Sequence, residues 1–232
     1  VLAEDADSIV WVGDRLGVRR LVVTPEGGTW RARATYAATL CLEGAEPNVM
    51  LFGSAGSLWV GTTGAGLRLI RELAVGRITV ATGLSDRPSH NLAPDGAGGL
   101  WIGGSCGGLS HWTGRDVAVL RPPAEGLVSP CVRGLLRDRA GLLWIGEVGR
   151  LSRVDSAGHA TQVVGPGEVG DAEAPALLQD TKGNVWFGTT YGLLGYATPA
   201  GAHTLLPATT LPPQKVWSIV EDSTSVWVGQ VG

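Results

Sequence analysis

Three cysteines, four histidines and two glycine-rich stretches are the residues of this 232-residue sequence whose types could do chemistry. His90, His111, His159 and His203 follow no metal-ligand spacing, so they read as structural or solvent-facing and imply no bound metal. Gly61-x-x-Gly64-x-Gly66 imitates a phosphate-cradling loop, but no helix pattern follows it, and it reads as a hairpin turn. Ser105 sits in GGSCGG without the strand-to-helix elbow that a hydrolase nucleophile requires. No pair of carboxylates recurs in a way that suits acid–base work. No catalytic residue and no cofactor site follow from these features.

The elements that carry these residues repeat. The stretch DRAGLLWIGEVGRLSRVD (138–155) reads as turn, short apolar strand, glycine, turn and second strand, and versions of it surround six tryptophans. These are Trp11, Trp59, Trp101, Trp144, Trp186 and Trp227, at separations of 41 to 48 residues. All-strand units at a period of about 40–45 residues are the sequence sign of propeller blades. Each unit offers four strands; in the fourth they are predicted at 133–137, 142–146, 150–155 and 159–164, bounded by RAG, EVG and SAG turns. Asp-x-x-Gly at Asp95/Gly98, Asp138/Gly141 and Asp180/Gly183 fits a type I turn closed by a glycine of positive φ. Asp5 and Asp222 hold the acidic position without the glycine.

Around each Trp the strand is apolar without alternation, so both its faces must be covered. Blades stacked face to face provide that cover, with each Trp filling the wedge between sheets. The glycine two residues after each Trp marks a close backbone approach. The expected fold is one all-β domain over 1–232, a β-propeller of four-stranded antiparallel blades. Its repeats span about 1–45, 46–87, 88–130, 131–172 and 173–213, with a partial one at 214–232, giving about five and a half blades. Seven blades at this period need about 294 residues, so the sequence reads as a fragment of a larger ring or a truncated gene product.

Composition agrees. At 44% apolar and 17% charged the sequence can bury a core, and 36 Gly with 13 Pro suit a turn-dense β protein. A net charge of −3 without basic clusters gives no footprint for nucleic acid. The apolar runs are far shorter than the ~20 residues that span a bilayer, so no direct membrane insertion by this segment is expected.

The segments LLRDRAGLLWIGEVGRLSR (135–153), LLQDTKGNVWFGTTYGLLGY (177–196) and SHNLAPDGAGGLWIGGSCGGLSHW (89–112) resemble the two-component regulator propeller repeat. The pairs Gly83-Leu84 and Gly126-Leu127 are similar to that family's linker, while Gly53, Glu147 and Asp14 depart from its pattern. The resemblance implies a periplasmic or otherwise extracytoplasmic sensory region of a membrane-anchored hybrid sensor kinase. A glycan or other small molecule would be its ligand, and transmitter domains downstream would carry any phosphorelay or kinase activity.

Ligand recognition is expected on the face that bears the variable turns. Arg15, Thr63, Glu147 and Tyr191 are the chief candidates, with Asp14, Thr62 and Thr189 beside them. Tyr191 and Arg15 rank first, because an aromatic plane and a planar cation suit sugars and carboxylates. Chain direction in a propeller brings a second-to-third-strand turn onto the face of the crossover into the next blade. Cys106 and Cys131 occupy those two places and form a candidate disulfide, against the alternative of two free thiols; Cys41 has no evident partner. Two other functions stay open: an enzyme similar to the streptogramin lyases, with a catalytic histidine beside metal-binding acids, and a protein–protein scaffold.

Overall fold

The computed structural model describes residues 1–4, 10–15, 17–26, 29–37, 42, 45–53, 57–70, 75–86, 88–121, 127–155, 159–200, 203–207 and 210–231, with backbone alone at 22, 23, 25, 26, 29–37 and 75–77. Asp5, Cys41, Gly126 and the SAG turn at 156–158 lie outside the described residues.

Hydrophobic runs between glycine turns give strands paired in simple chain order. The first sheet holds β1 (Leu2–Glu4), β2 (Val10–Asp14), β3 (Gly17–Glu26) and β4 (Thr29–Ala37). The second holds β5 (Pro47–Phe52), β6 (Leu58–Thr62), β7 (Leu67–Ile70) and β8 (Val75–Ile78). The third holds β9 (Ser89–Pro94), β10 (Leu100–Gly104), β11 (Leu109–Trp112) and β12 (Val117–Leu120). The fourth holds β13 (Val132–Arg137), β14 (Leu143–Glu147), β15 (Arg150–Val154) and β16 (Ala160–Val164). The fifth holds β17 (Ala176–Gln179), β18 (Val185–Gly188), β19 (Leu194–Ala197) and β20 (His203–Leu205). The sixth pairs β21 (Val216–Glu221) with β22 (Val226–Gln230). Among the described residues this makes five four-stranded antiparallel sheets and one of two strands, the all-β blade architecture read from the repeats. Among the described residues helix is confined to one turn, α1 (Pro166–Val169), and a 3-10 turn at Val80–Thr82.

The chain divides into two compact units, Val1–Ser105 with Ser110–Val119, and Cys106–Leu109 with Leu120–Gly232. In the first, β5 packs beside β1 and β2, and β9 beside β5 and β6. In the second, β17 packs beside β13, and β21 beside β17 and β18. Trp11, Trp59, Trp144 and Trp186 each lie under the blade that follows. Trp11 packs with Met50, Leu58 and Val60. Trp59 packs with Leu92, Leu100 and Ile102. In the second unit Trp144 packs with Val185 and Phe187, and Trp186 with Val216 and Ile219. Trp144 is 2% exposed. Burying an aromatic of this size is worth at least ~1.5–3 kcal/mol.

Each acidic turn residue does two jobs. Asp138 Oδ1 accepts the Leu142 amide at 2.8 Å, while Oδ2 accepts the Trp144 indole N–H at 2.8 Å. Asp180 repeats this with Asn184 (2.7 Å) and Trp186 (2.9 Å), and Asp222 with Ser225 (2.7 Å) and Trp227 (2.6 Å). The same carboxylate therefore closes the turn and pins the ring that fills the blade interface. The third sheet is a variant: Asp95 Oδ2 lies 3.0 Å from His111 Nε2, and the His111 ring stacks on Trp101 at 3.9 Å. In the second sheet Gly53 takes the acid's place, 3.1 Å (from an ideal Cβ) from Trp59 Nε1.

The glycine after each Trp marks where the next blade's first strand crosses. A Cβ on Gly61 would lie 2.5 Å from Val49 Cγ1 and 2.8 Å from Ser89 Cβ. One on Gly146 would lie 2.1 Å from the Ala174 carbonyl oxygen, and one on Gly188 2.3 Å from Val216 Cγ1. Gly146→Ala should therefore destabilise by about 1–3 kcal/mol, since backbone must move. Gly64→Ala, where a Cβ meets nothing within 4 Å, should stay within ~0.5 kcal/mol in the same urea titration.

Burial alone would raise the Asp180 pKa, but hydrogen bonds from Asn184, Trp186 and the Lys182 amide outweigh it and hold the carboxyl below its ordinary 3.8. At Asp222 the Trp227 indole leads the amides of Thr224 and Ser225 in lowering it to about 2. A depressed folded pKa stabilises fully above the unfolded value and is lost as pH falls through the folded one. Unfolding free energy should thus be flat in these groups above pH 3.8 and decline toward about 2. Asp180→Asn should lower stability at neutral pH and flatten that decline in acid denaturation followed by tryptophan fluorescence.

Candidate ligand-recognition face

The first strand of most blades begins with a β-bulge. Register shifts fall between Pro47 and Val49 opposite β6, at Gly103/Gly104 opposite β9, between Val132 and Gly134, and between Val216 and Ser218. A bulge leaves one residue unpaired and re-aims its side chain. The residues so presented are Asn48 and His90 in the first unit, and Arg133 and Trp217 in the second. Three are polar and the fourth is an exposed aromatic. Sequence reasoning read His90 as structural or solvent-facing and passed over Asn48, Arg133 and Trp217, although these fill the first variable place of the V-x-x-[IL] motif (Val132-Arg133-Gly134-Leu135, Val216-Trp217-Ser218-Ile219).

In the first unit Asn48 Nδ2 donates to the Ser89 carbonyl oxygen at 3.1 Å and lies 2.9 Å from His90 Nδ1. His90 Nε2 lies 2.9 Å from Ser105 Oγ. Because the Asn48 amide nitrogen is oriented by Ser89, His90 Nδ1 is the acceptor and Nε2 carries the proton that it donates to Ser105. His90 in this tautomer orients Ser105 and does not take its proton. Asp95, Asp155 and Glu168 each engage one histidine: His111, His159 and His203. Among the described residues no group of three or more His, Cys, Asp or Glu gathers to hold a metal.

In the second unit Arg133 Nε bonds Glu173 Oε1 at 2.9 Å, both side chains about a fifth exposed. Lys215 Nζ stands 3.6 Å over the Trp217 ring, which is 52% exposed. Partial burial draws the Lys215 pKa below its ordinary value; Glu173 opposes the shift and Arg133 adds to it. Two cations, one carboxylate and an open aromatic plane thus converge at the entry of three successive first strands.

The turn candidates fall into two groups. Arg15 is exposed and forms a 3.1 Å surface pair with Glu46, Asp14 pairs with Arg19, and Thr63 is exposed with its amide on the Glu46 carbonyl at 3.0 Å. Tyr191 is 60% exposed, in a turn whose Gly192 abuts Pro212 and Gln214. Thr62, Thr189 and Glu147 are buried instead. Thr62 Oγ1 donates to the Gly66 carbonyl at 2.7 Å, and Thr189 Oγ1 accepts the Leu193 amide at 3.1 Å. Glu147, expected in an open turn, is the last residue of β14 and fully buried; its Oε1 accepts the amides of Val128 (2.9 Å) and Ser129 (2.7 Å). These bonds anchor the segment that carries Cys131, which is joined to Cys106 by a disulfide. At the other end of the blades in the first unit, a cleft of about 460 Å³ is lined by Phe52, Trp59, Pro94 and Trp112. No described helix is long and apolar enough to cross a membrane.

The sequence matches no curated protein. Its fold is similar to the extracellular domain of a hybrid two component system of B. thetaiotaomicron (TM-score 0.71, 16% identity), covering 96% of this chain and 30% of that one. It is similar also to the extracellular domain of a one component system of the same organism (TM-score 0.72, 18% identity), covering 99% of this chain and 30% of that one. A third similar structure is virginiamycin B lyase from Staphylococcus aureus (TM-score 0.72, 15% identity), covering 99% of this chain and 76% of that one. This chain thus spans less than a third of the length of the two extracellular domains. At these identities the likeness establishes the β-propeller fold, and the model of the family described as Two component regulator propeller matches residues 169–191. The matched stretch from Val169 to Tyr191 joins the fourth blade to the fifth and is similar to a two-component regulator propeller repeat.

Proposed function

We propose that this chain is a non-enzymatic sensory propeller module, lying outside the cytoplasm as part of a membrane-anchored signalling protein. It recognises a glycan fragment or another small polar molecule, and domains elsewhere in the same polypeptide transmit the signal. The observation that carries this reading is the convergence of Arg133, Glu173, Lys215 and Trp217 at the starts of successive first strands. An open indole face accepts the apolar face of a sugar ring, and paired cations with one carboxylate accept its hydroxyls or an acid group. Tyr191 is a further candidate contact in the adjoining turn, and Arg15 and Thr63 are candidates in the first unit. The Cys106–Cys131 bond fits an oxidising compartment. The two similar extracellular receptor domains support the same placement. The tautomer assigned to His90 and the one-to-one pairing of the other histidines weigh against the lyase chemistry of the third similar structure.

Thermal unfolding against a panel of neutral and acidic oligosaccharides tests this. A recognised ligand at a hundred times its Kd should stabilise by about 2.7 kcal/mol. Trp217→Ala and Lys215→Ala should weaken it tenfold or more, while Trp112→Ala, in the cleft of the first unit, should leave it unchanged. No stabilisation by any member, together with metal-dependent cleavage of a cyclic depsipeptide, would replace the sensor with a lyase. Non-reducing peptide mapping should recover Cys106 linked to Cys131, and Cys131→Ser should cost roughly 3–4 kcal/mol. Recovery of both as thiols from extracytoplasmic material would remove the compartment argument.

A further inference from the structure

The second blade lacks the carboxylate with which other blades satisfy their tryptophan, and a cleft opens at the same place. Asp138 and Asp180 stand six residues before Trp144 and Trp186, and each accepts the indole N–H with one oxygen. Gly53 stands six residues before Trp59. Its turn closes as the others do. The Gly53 amide donates to the Ser57 carbonyl oxygen at 2.9 Å, as Asp138 does to Leu142 at 2.9 Å and Asp180 to Asn184 at 2.8 Å. The backbone is thus in place and the carboxylate is missing. Trp59 is 5% exposed, and among the described residues its indole N–H has no acceptor. A buried donor in that position has given up water and gained nothing in return.

The N–H edge of the ring faces the cleft. Trp59 Nε1 and Cδ1 lie 3.1 and 3.4 Å from where a Gly53 Cβ would stand, and both residues line the cleft of about 460 Å³. That volume falls within the ~300–1,000 Å³ of small-molecule sites. Leu51, Phe52, Pro94, Leu100 and Trp112 supply apolar walls, all within the first unit. Trp112 meets Trp59 edge-on at 4.7 Å, so flat ring surfaces bound the space.

The lining selects the class of occupant. Among the described residues that form it there is no Arg, Lys or His to offset an anion. Asp95, between the lining residues Pro94 and Gly96, adds a carboxylate whose bonds go to His111 and to the amides of Ala97 and Gly99. Ser57 and the two indoles are the lining side chains with polar atoms, too few for the hydroxyls of a sugar. A cation would meet the positive end of the indole N–H dipole. An uncharged aromatic ring with one carbonyl oxygen matches both the walls and the single buried donor.

We propose that this cleft binds an uncharged aromatic carbonyl compound, whose oxygen accepts the Trp59 indole N–H in the place that Asp138 and Asp180 fill in their own blades. The ring lies against Phe52 and Trp112. This site shares no residue with the cluster of Arg133, Glu173, Lys215 and Trp217, and neither reading depends on the other.

Titration of the chain spanning residues 1–232, followed by its indole N–H signals in proton–nitrogen correlation spectra, tests this. Benzamide is the probe, with benzoate, phenyltrimethylammonium, toluene and methyl glucoside as its anionic, cationic, oxygen-free and sugar counterparts. Benzamide should move one indole signal downfield and saturably, and Trp59→Phe should remove that signal. The four counterparts should bind roughly tenfold more weakly or worse. Gly53→Asp returns the missing carboxylate to the chain. Gly53 has no positive φ, so the side chain is accommodated once the Trp59 ring gives by a few tenths of an ångström. This variant should show the downfield signal without any probe and bind benzamide roughly tenfold more weakly. Trp112→Ala, at a partly exposed wall, should weaken benzamide to a similar degree, whereas Trp217→Ala should leave it unchanged. No saturable shift with benzamide, benzoate binding as tightly, or an affinity untouched by both Gly53→Asp and Trp112→Ala would each overturn the proposal. The signal read is that of Trp59, so its outcome is independent of ligand recognition at Trp217.

Discussion

The structure depends on one physical constraint: a short strand with two apolar faces cannot be satisfied inside its own sheet. Trp11, Trp59, Trp144 and Trp186 are covered by the following blade, as Trp144 is by Val185 and Phe187. Stability is therefore spread over interfaces between near-identical units, each stable only through its neighbours. The glycines after the Trp residues are the steric complement of that rule. Where the next first strand crosses, as Ala174 does over Gly146, no Cβ fits.

The carboxylate of the acidic turn couples the two scales. By closing the hairpin with one oxygen and holding the indole with the other, Asp138 and Asp180 make the local turn and the interblade packing a single event. The third blade reaches the same end through Asp95, His111 and stacking on Trp101. Gly53 offers no carboxylate, and the aromatic-lined cleft of the first unit lies beside it.

Recognition chemistry is then placed by departures from regular pairing. A bulge at the start of a first strand costs a ladder hydrogen bond and frees one side chain from the alternation that would otherwise bury it or hide it in the stack. Arg133 and Trp217 are presented this way, against Glu173 and Lys215 from the neighbouring crossovers. Glu147 shows the opposite outcome. A charged residue in a turn-like place was expected to face solvent, yet two crossover amides of Val128 and Ser129 hold its carboxylate inside the protein.

The repeating four-stranded unit, its strand order and the Trp stripe were legible from the chain alone, because a period of about 42 residues and unbroken apolar runs report which faces must be buried. The predicted strands of the fourth repeat match β13 to β16 within one or two residues, since Asp138 and the glycines punctuate them locally. The recognition cluster was not legible in that way. Arg133, Glu173 and Lys215 lie some 40 residues apart, at places that look like variable linker, and no local rule says that a bulge will turn them toward one another. Sequence determined which side chains need a partner; only the packing of blade on blade decided which of them found one, because burial is a property of the neighbour and not of the strand.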